Sequence, residues 1–139
     1  MPVRVQKQGG VMGIARDMKA AANPNFNGKW KNELDSVMEL TVNGSSVSGT
    51  YTSAVSSNGT PTPPHPLIGN VDNELISFIV NWTDYASITA WVGQMVVDAA
   101  GKEQIFTLWQ MTTTTNDPES PKELWQAIHA GSDTFERVR

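Results

Sequence analysis

Residues 87–98 read SITAWVGQMVVD and residues 103–113 read EQIFTLWQMTT. In each run the side chains alternate, so Ser87, Thr89 and Trp91 share one face and Thr107, Trp109 and Met111 share a face of the next. Period-two alternation of β-branched and aromatic residues is the mark of a strand. Ala100-Gly101-Lys102 between the runs supplies the residues of a hairpin turn. Working outward, the same pattern predicts strands at 28–34, 37–43, 47–55, 66–71, 74–82 and 133–138. Asn43-Gly44-Ser45 and Asp72-Asn73 mark further tight reversals. A loop from Ser56 to Pro66 carries four prolines, at 61, 63, 64 and 66, which stiffen it. Pro118 to Ala130 is a helix candidate, with Pro121 suited to a first helical position and Gly131 to the stop. Eight sequential strands with short turns are connected up and down. An open sheet of that width leaves two exposed edges, and closure removes both. The expected fold is therefore all-β, an eight-stranded antiparallel up-and-down β-barrel, a size that can hold one small ligand inside.

Composition narrows the function. The chain has 139 residues, the size of one ordinary domain. Hydrophobic residues make up 39% and charged residues 17%, enough to bury a core and too little charge for a disordered chain. The formal charge of -4 lacks the clustered positive charge that nucleic-acid binding needs. No apolar stretch approaches the roughly 20 residues of a membrane helix. There is no cysteine, so disulfides, thiolate nucleophiles and Cys-based zinc sites are excluded. Five of the eleven aromatic residues are Trp, an excess to be explained. Residues 1–27 read as an N-terminal extension with helical spacing over about 11–22, and 28–139 as the barrel domain. The apolar pieces of the extension are broken by Gly9, Gly10, Gly13 and Arg16, unlike the continuous apolar run of a signal peptide.

The inward faces mix large aromatics with small hydrogen-bonding groups. They are Trp30, Asn32 and Leu34; Gly49, Tyr51 and Ser53; Phe78, Val80 and Trp82; and the two faces given above. A fully packed core favours Leu, Ile and Val, because an unpaired buried hydroxyl costs about 1–3 kcal/mol. The mixture points to a cavity with apolar walls and converging polar groups.

From Gly28 to Arg139 the sequence resembles the biotin-binding avidin and streptavidin family. The resemblance is carried by GKWKNELDS at 28–36, VSGTYTSAV at 47–55, Asn81-Trp82, SITAWVGQ at 87–94, Thr107-Leu108-Trp109, Leu124-Trp125 and GSDTF at 131–135. It implies non-catalytic binding of biotin in the barrel interior, with biotin as ligand rather than cofactor and no metal. It implies that Asn32, Ser36 and Tyr51 donate to the ureido oxygen, and that Ser53 and Asp133 accept from the ureido N–H groups. Thr89 would lie near the thioether sulfur, and Ser87 and Ser57 near the valerate carboxylate. Trp82, Trp91, Trp109 and Met111 would form apolar walls, and Trp30 the closed end. Trp125 would be inserted as a lid by a neighbouring subunit, which implies a homo-oligomer, expected to be a tetramer. Extracellular or periplasmic localisation follows from the family alone.

Two other readings stand beside it, a lipocalin-like carrier of another small apolar ligand and a scaffold with its Trp residues packed inside. The set Asn32, Ser36, Tyr51, Ser53 and Asp133 discriminates, since neither alternative needs five converging polar groups. An enzyme is not expected: His65 and His129 sit in no motif and read as surface residues, and no Gly-rich phosphate loop is present.

Overall fold

Alternating polar and β-branched or aromatic residues pair in chain order to build the molecule. The computed structural model describes residues 18–54, 59–116 and 119–139, with the backbone alone at 124 and 125. Ser57, the Trp125 side chain and the N-terminal part of the expected 11–22 helix lie outside the described residues.

The strands are β1 (Lys19–Ala20), β2 (Gly28–Lys31), β3 (Val37–Asn43), β4 (Ser46–Thr52), β5 (His65–Asp72), β6 (Leu75–Trp82), β7 (Ser87–Val97), β8 (Glu103–Thr113) and β9 (Ile128–Arg137). A short helix, α1 (Pro121–Gln126), precedes β9. Each of β2 to β8 pairs antiparallel with its successor, and β9 returns to pair with β2, closing an eight-stranded antiparallel barrel. The expected fold class is the observed one. Two-residue reversals join β3 to β4 and β5 to β6. They use positive φ at Gly44 (63°) and Asn73 (52°), which glycine and asparagine tolerate. At the β7–β8 turn, Asp98 Oδ1 accepts from the backbone N–H groups of Ala100 and Lys102, both at 2.9 Å.

Two local expectations give way to sheet pairing. The helix expected over 118–130 is confined to Pro121–Gln126, because β9 begins at Ile128 and pairs there with Thr112. In the expected 11–22 helix, Lys19–Ala20 is instead a strand paired with Val97 and Val96 of β7. Its place is physical: β6 pairs with β7 no further than Leu75–Gln94, leaving the end of β7 without a neighbour on that side. Unpaired strand backbone is costly when buried, and β1 satisfies it. Ala21 and Phe26 then bury their side chains in the core.

The core fills the end of the barrel that β1 and its following segment cover. Trp30 is fully buried there, its Nε1–H donating to the Phe26 carbonyl at 2.9 Å. The Arg137 guanidinium lies 4.3 Å over the Trp30 ring and donates to the carbonyls of Asn27 (2.8 Å) and Asn25 (2.6 Å). This one side chain fastens residues 25–27 to β9. Phe78, Phe135, Met38, Met95 and Ile105 complete the plug.

Strand coiling brings backbones close at Gly93, opposite Thr107: a Cβ there would stand 1.9 Å from the Phe106 carbonyl oxygen. A backbone atom cannot rotate aside, so Gly93→Ala is expected to destabilise the barrel by about 1–3 kcal/mol in chemical denaturation. An unchanged midpoint would show that β7 and β8 separate freely.

Candidate ligand-binding site

Opposite the plug, the inward faces leave a cavity of about 380 Å³, within the roughly 300–1,000 Å³ range of small-molecule sites. Parity puts Trp82 of β6, Ser87, Thr89 and Trp91 of β7, Trp109 and Met111 of β8, and Asp133 of β9 on its wall. Tyr51 of β4 reaches it from the opposite side. Trp91 is held rigidly between two rings, stacked 4.9 Å from Tyr51 and 4.9 Å from Phe78. Trp82 meets the edge of Tyr51 at 5.6 Å. The floor of the cavity is thus continuous with the core.

The β2–β3 turn, residues 32–36, builds a donor cluster. Asn32 Oδ1 accepts from the backbone N–H groups of Leu34 (3.0 Å) and Ser36 (2.9 Å). That consumes the oxygen end of the amide and leaves its NH₂ turned to Tyr51, with Nδ2 donating to the phenol oxygen at 3.4 Å. Asp35 makes the turn at φ 66°. The Ser36 Oγ accepts from the Ala54 N–H at 2.9 Å, so its own hydrogen is free to donate. Burial, and then the Asp133 carboxylate, raise the Tyr51 phenol well above its ordinary value, so it stays a neutral donor. Three donors therefore meet at one point.

A carboxylate sits in the same cavity. Asp133 is 8% exposed, and its Oδ2 accepts from Trp91 Nε1–H at 2.9 Å. Burial pushes its carboxyl up to about 6; the Trp91 bond opposes this, Glu33 adds to it, and the Asn32 amide opposes it. On the wall, Trp82 Nε1–H donates to Thr89 Oγ1 at 2.9 Å, leaving the Thr89 hydrogen available to a ligand. Donors beside an acceptor, inside apolar walls, suit a small molecule that carries an uncharged carbonyl group flanked by N–H.

Eleven of the residues singled out in the sequence line this one cavity: Asn32, Ser36, Tyr51, Ser53, Trp82, Ser87, Thr89, Trp91, Trp109, Met111 and Asp133. Ser57 and the Trp125 side chain lie outside the described residues. Leu34 borders the mouth but is 61% exposed, because β2 ends at Lys31 and the chain turns away. Thr62, Tyr85 and Thr113 also line the cavity and were not anticipated. Thr113 was legible, since it continues the parity of Trp109 and Met111. Thr62 was not: it belongs to the Pro-rich segment, where the Thr62 Oγ1 and N–H bond the backbone N–H and carbonyl of Ser53 at 2.9 Å each. Tyr85 comes from a 3₁₀ turn, Thr83–Tyr85, which has no period to read.

His65 corrects an expectation. It is buried, 5.0 Å from the Trp82 ring, with Nδ1–H donating to the Pro63 carbonyl at 2.8 Å. It opens β5 rather than lying on a surface loop, and supports a cavity wall from behind. His129 is exposed, as expected, though on β9 rather than on a helix. Among the described residues no group of three or more His, Asp or Glu side chains is placed to hold a metal ion.

A closed barrel plugged at one end and holding an apolar cavity with clustered polar groups at the other is a small-molecule-binding barrel. The sequence matches the avidin family over residues 20–138, and the chain belongs to that family. It is 32% identical to avidin of Gallus gallus over 128 residues, covering 86% of this chain and 82% of avidin. Its structure is similar to that of a biotin binding protein from chicken, with a TM-score of 0.73 at 29% identity over 86% of this chain and 100% of the other. It is also similar to the rhizavidin–biotin complex, with a TM-score of 0.68 at 28% identity over 87% and 98% of the two chains.

The raised Asp133 carboxyl has a consequence for stability. The folded protein holds this proton more tightly than the unfolded chain, whose carboxyl titrates near 3.8. Its stabilising contribution is therefore complete below about pH 4 and is lost as pH rises through about 6. Urea denaturation of wild type and Asp133→Asn should show the wild type losing stability relative to the variant across that window. A constant difference would remove Asp133 as a titrating core group.

Proposed function

We propose that this chain binds biotin in the barrel cavity, non-covalently and without turnover. The observation that carries the reading is the donor cluster of Asn32, Ser36 and Tyr51 in one cavity with the Asp133 carboxylate. Biotin presents a cyclic urea, a carbonyl oxygen between two N–H groups, which is the ligand chemistry such a set recognises. In this reading the three donors polarise the ureido oxygen, and Ser53 and Asp133 accept from the two N–H groups. Thr89 donates toward the sulfur. Trp82, Trp91, Trp109 and Met111 exclude water, and Ser87, with Ser57, meets the valerate carboxylate. The avidin family membership of the chain supports it, as does the rhizavidin–biotin complex among its structural neighbours. The wall hydrogen bonds and ring stacking hold these groups in place before a ligand arrives, which lowers the ordering cost of binding. A carrier of another apolar ligand leaves the polar cluster without a purpose.

Biotin acts here as the ligand, not as a catalytic cofactor, and the protein is extracellular or periplasmic. Residues 28–139 form the binding barrel, and residues 1–27 an extension whose final part docks on it. A homo-oligomer, specifically a tetramer, completes the site, with Trp125 closing a neighbour's cavity. The outer face of β5–β8 supports assembly: Ile68, Ile79, Ile88, Val92 and Leu108 are 43–64% exposed there, and clustered exposed apolar side chains mark interaction surfaces.

Calorimetry or Trp fluorescence during biotin titration is expected to show saturable binding, and silence at micromolar biotin would sink the reading. Asp133→Ala should weaken binding by about 1.5–3 kcal/mol, the value of a hydrogen bond to a charged group. For the assembly, analytical ultracentrifugation should find Val92→Lys/Leu108→Lys reduced to a smaller species. Trp125→Lys should raise the biotin off-rate, and an unchanged off-rate would mean that no neighbour supplies the lid.

A further inference from the structure

β4 stops at Thr52, where its last partner on β3 is Val37. On the β5 side its pairing ends one residue earlier, at Tyr51–His65. Ser53 therefore lies past the end of the sheet, with no strand beside it to fix its backbone. Ser53 nevertheless lines the cavity, where the biotin reading has it accept from a ligand N–H. An acceptor on a loose chain end would have to be ordered as the ligand arrives, which costs affinity.

Thr62 supplies the missing partner. Its N–H donates to the Ser53 carbonyl and its Oγ1 accepts from the Ser53 N–H, both at 2.9 Å. The pair imitates one rung of an antiparallel ladder, with a side-chain oxygen in place of one carbonyl. The stretch Pro61-Thr62-Pro63-Pro64 explains why this residue serves. Proline has no backbone N–H, so Thr62 carries the only one of residues 61–64. A residue before proline is held to extended backbone, and Pro63 imposes this on Thr62. The Pro63 carbonyl in turn accepts from His65 Nδ1–H at 2.8 Å, and His65 opens β5 against the Trp82 ring. Thr62 is thus presented from a segment anchored to the barrel wall, and it is buried at the cavity itself. On the other side of Ser53, the Ala54 N–H donates to Ser36 Oγ at 2.9 Å. The backbone is held on both sides of the acceptor, and the same contacts run on to a donor of the cluster.

We propose that Thr62 is a positioning residue of the binding site: by holding both backbone groups of Ser53 it fixes the direction of an acceptor for a ligand N–H. The inference rests on the biotin reading for its ligand. With its N–H and carbonyl both engaged, Ser53 keeps rotation about its side-chain bond alone, so its oxygen is confined to a small arc at the cavity wall. Loss of the Thr62 oxygen removes one of the two bonds and lets that arc drift away from the ligand.

The test compares the full chain as wild type, Thr62→Val, Thr62→Ser and a control, Thr41→Val, on the exposed face of β3. Val keeps the branched shape and removes the oxygen, whereas Ser keeps the oxygen. Amide hydrogen exchange of the ligand-free proteins is expected to be slow at Ser53 in wild type and Thr62→Ser, and about tenfold faster or more in Thr62→Val. The biotin off-rate should rise about three- to tenfold in Thr62→Val, the value of one neutral hydrogen bond. It should stay near wild type in Thr62→Ser and Thr41→Val. In a Ser53→Ala background the Thr62→Val effect on the off-rate should disappear, because the group being positioned is gone. A merely structural role would give the same fold-change in both backgrounds. Unchanged Ser53 exchange or an unchanged off-rate in Thr62→Val would overturn the inference, as would an equal effect with and without the Ser53 hydroxyl. No biotin binding by wild type, with the exchange pattern as expected, would overturn the biotin reading instead and leave the Thr62–Ser53 pair standing.

Discussion

A sheet of eight strands has two edges, and in this protein they are made to meet. The first and last strands of the ring pair at Trp30–Arg137 and Lys31–Glu136. Everything else depends on that closure. It removes the unpaired edges, fixes which parity points inward, and brings the β2–β3 turn against β9. Because β2 stops at Lys31, the turn at 32–36 is free to fold inward and carry Asn32 and Ser36 to Tyr51. The strand that is too short to finish the seam is what makes room for the polar end of the cavity.

The two ends of the barrel use aromatic residues in opposite ways. At the closed end Trp30 spends its N–H on the Phe26 carbonyl and its ring on Arg137, so nothing is left to offer a ligand. At the open end Trp82 and Trp91 donate to Thr89 and Asp133, which are themselves cavity groups. Those bonds orient an acceptor and a hydroxyl rather than ending in the core. The price is a buried carboxyl that resists ionisation in the free protein. A site that holds an acceptor ready in a dry pocket must accept some destabilisation of the unliganded fold.

Much of the site was legible because a strand has a period of two. Ser87, Thr89 and Trp91 had to share a face, as did Thr107, Trp109 and Met111, and closure turned those faces to one interior. Ser36 came instead from its likeness to a family pattern, since turn residues carry no period. Tyr85 and Thr62 escaped for the same reason: a 3₁₀ turn and a Pro-rich connection have no repeat to project. His65 was misjudged because its proline neighbours signal a loop, whereas the β4 pairing at Tyr51 draws it into a strand.

The chain's alternation of side chains and its turn residues were sufficient to specify eight antiparallel strands, their order and their inward faces, because period and turn chemistry are local properties. Tertiary structure alone decided the rest. It stopped the helix at Gln126 and turned Lys19–Ala20 into a strand, since unpaired backbone on β7 and β8 outweighs local helical spacing. It also brought the Glu33 carboxyl onto the Thr134 N–H across a seam that joins the two ends of the barrel domain. Contacts between residues a hundred positions apart have no local signature, and only closure of the ring brings them together.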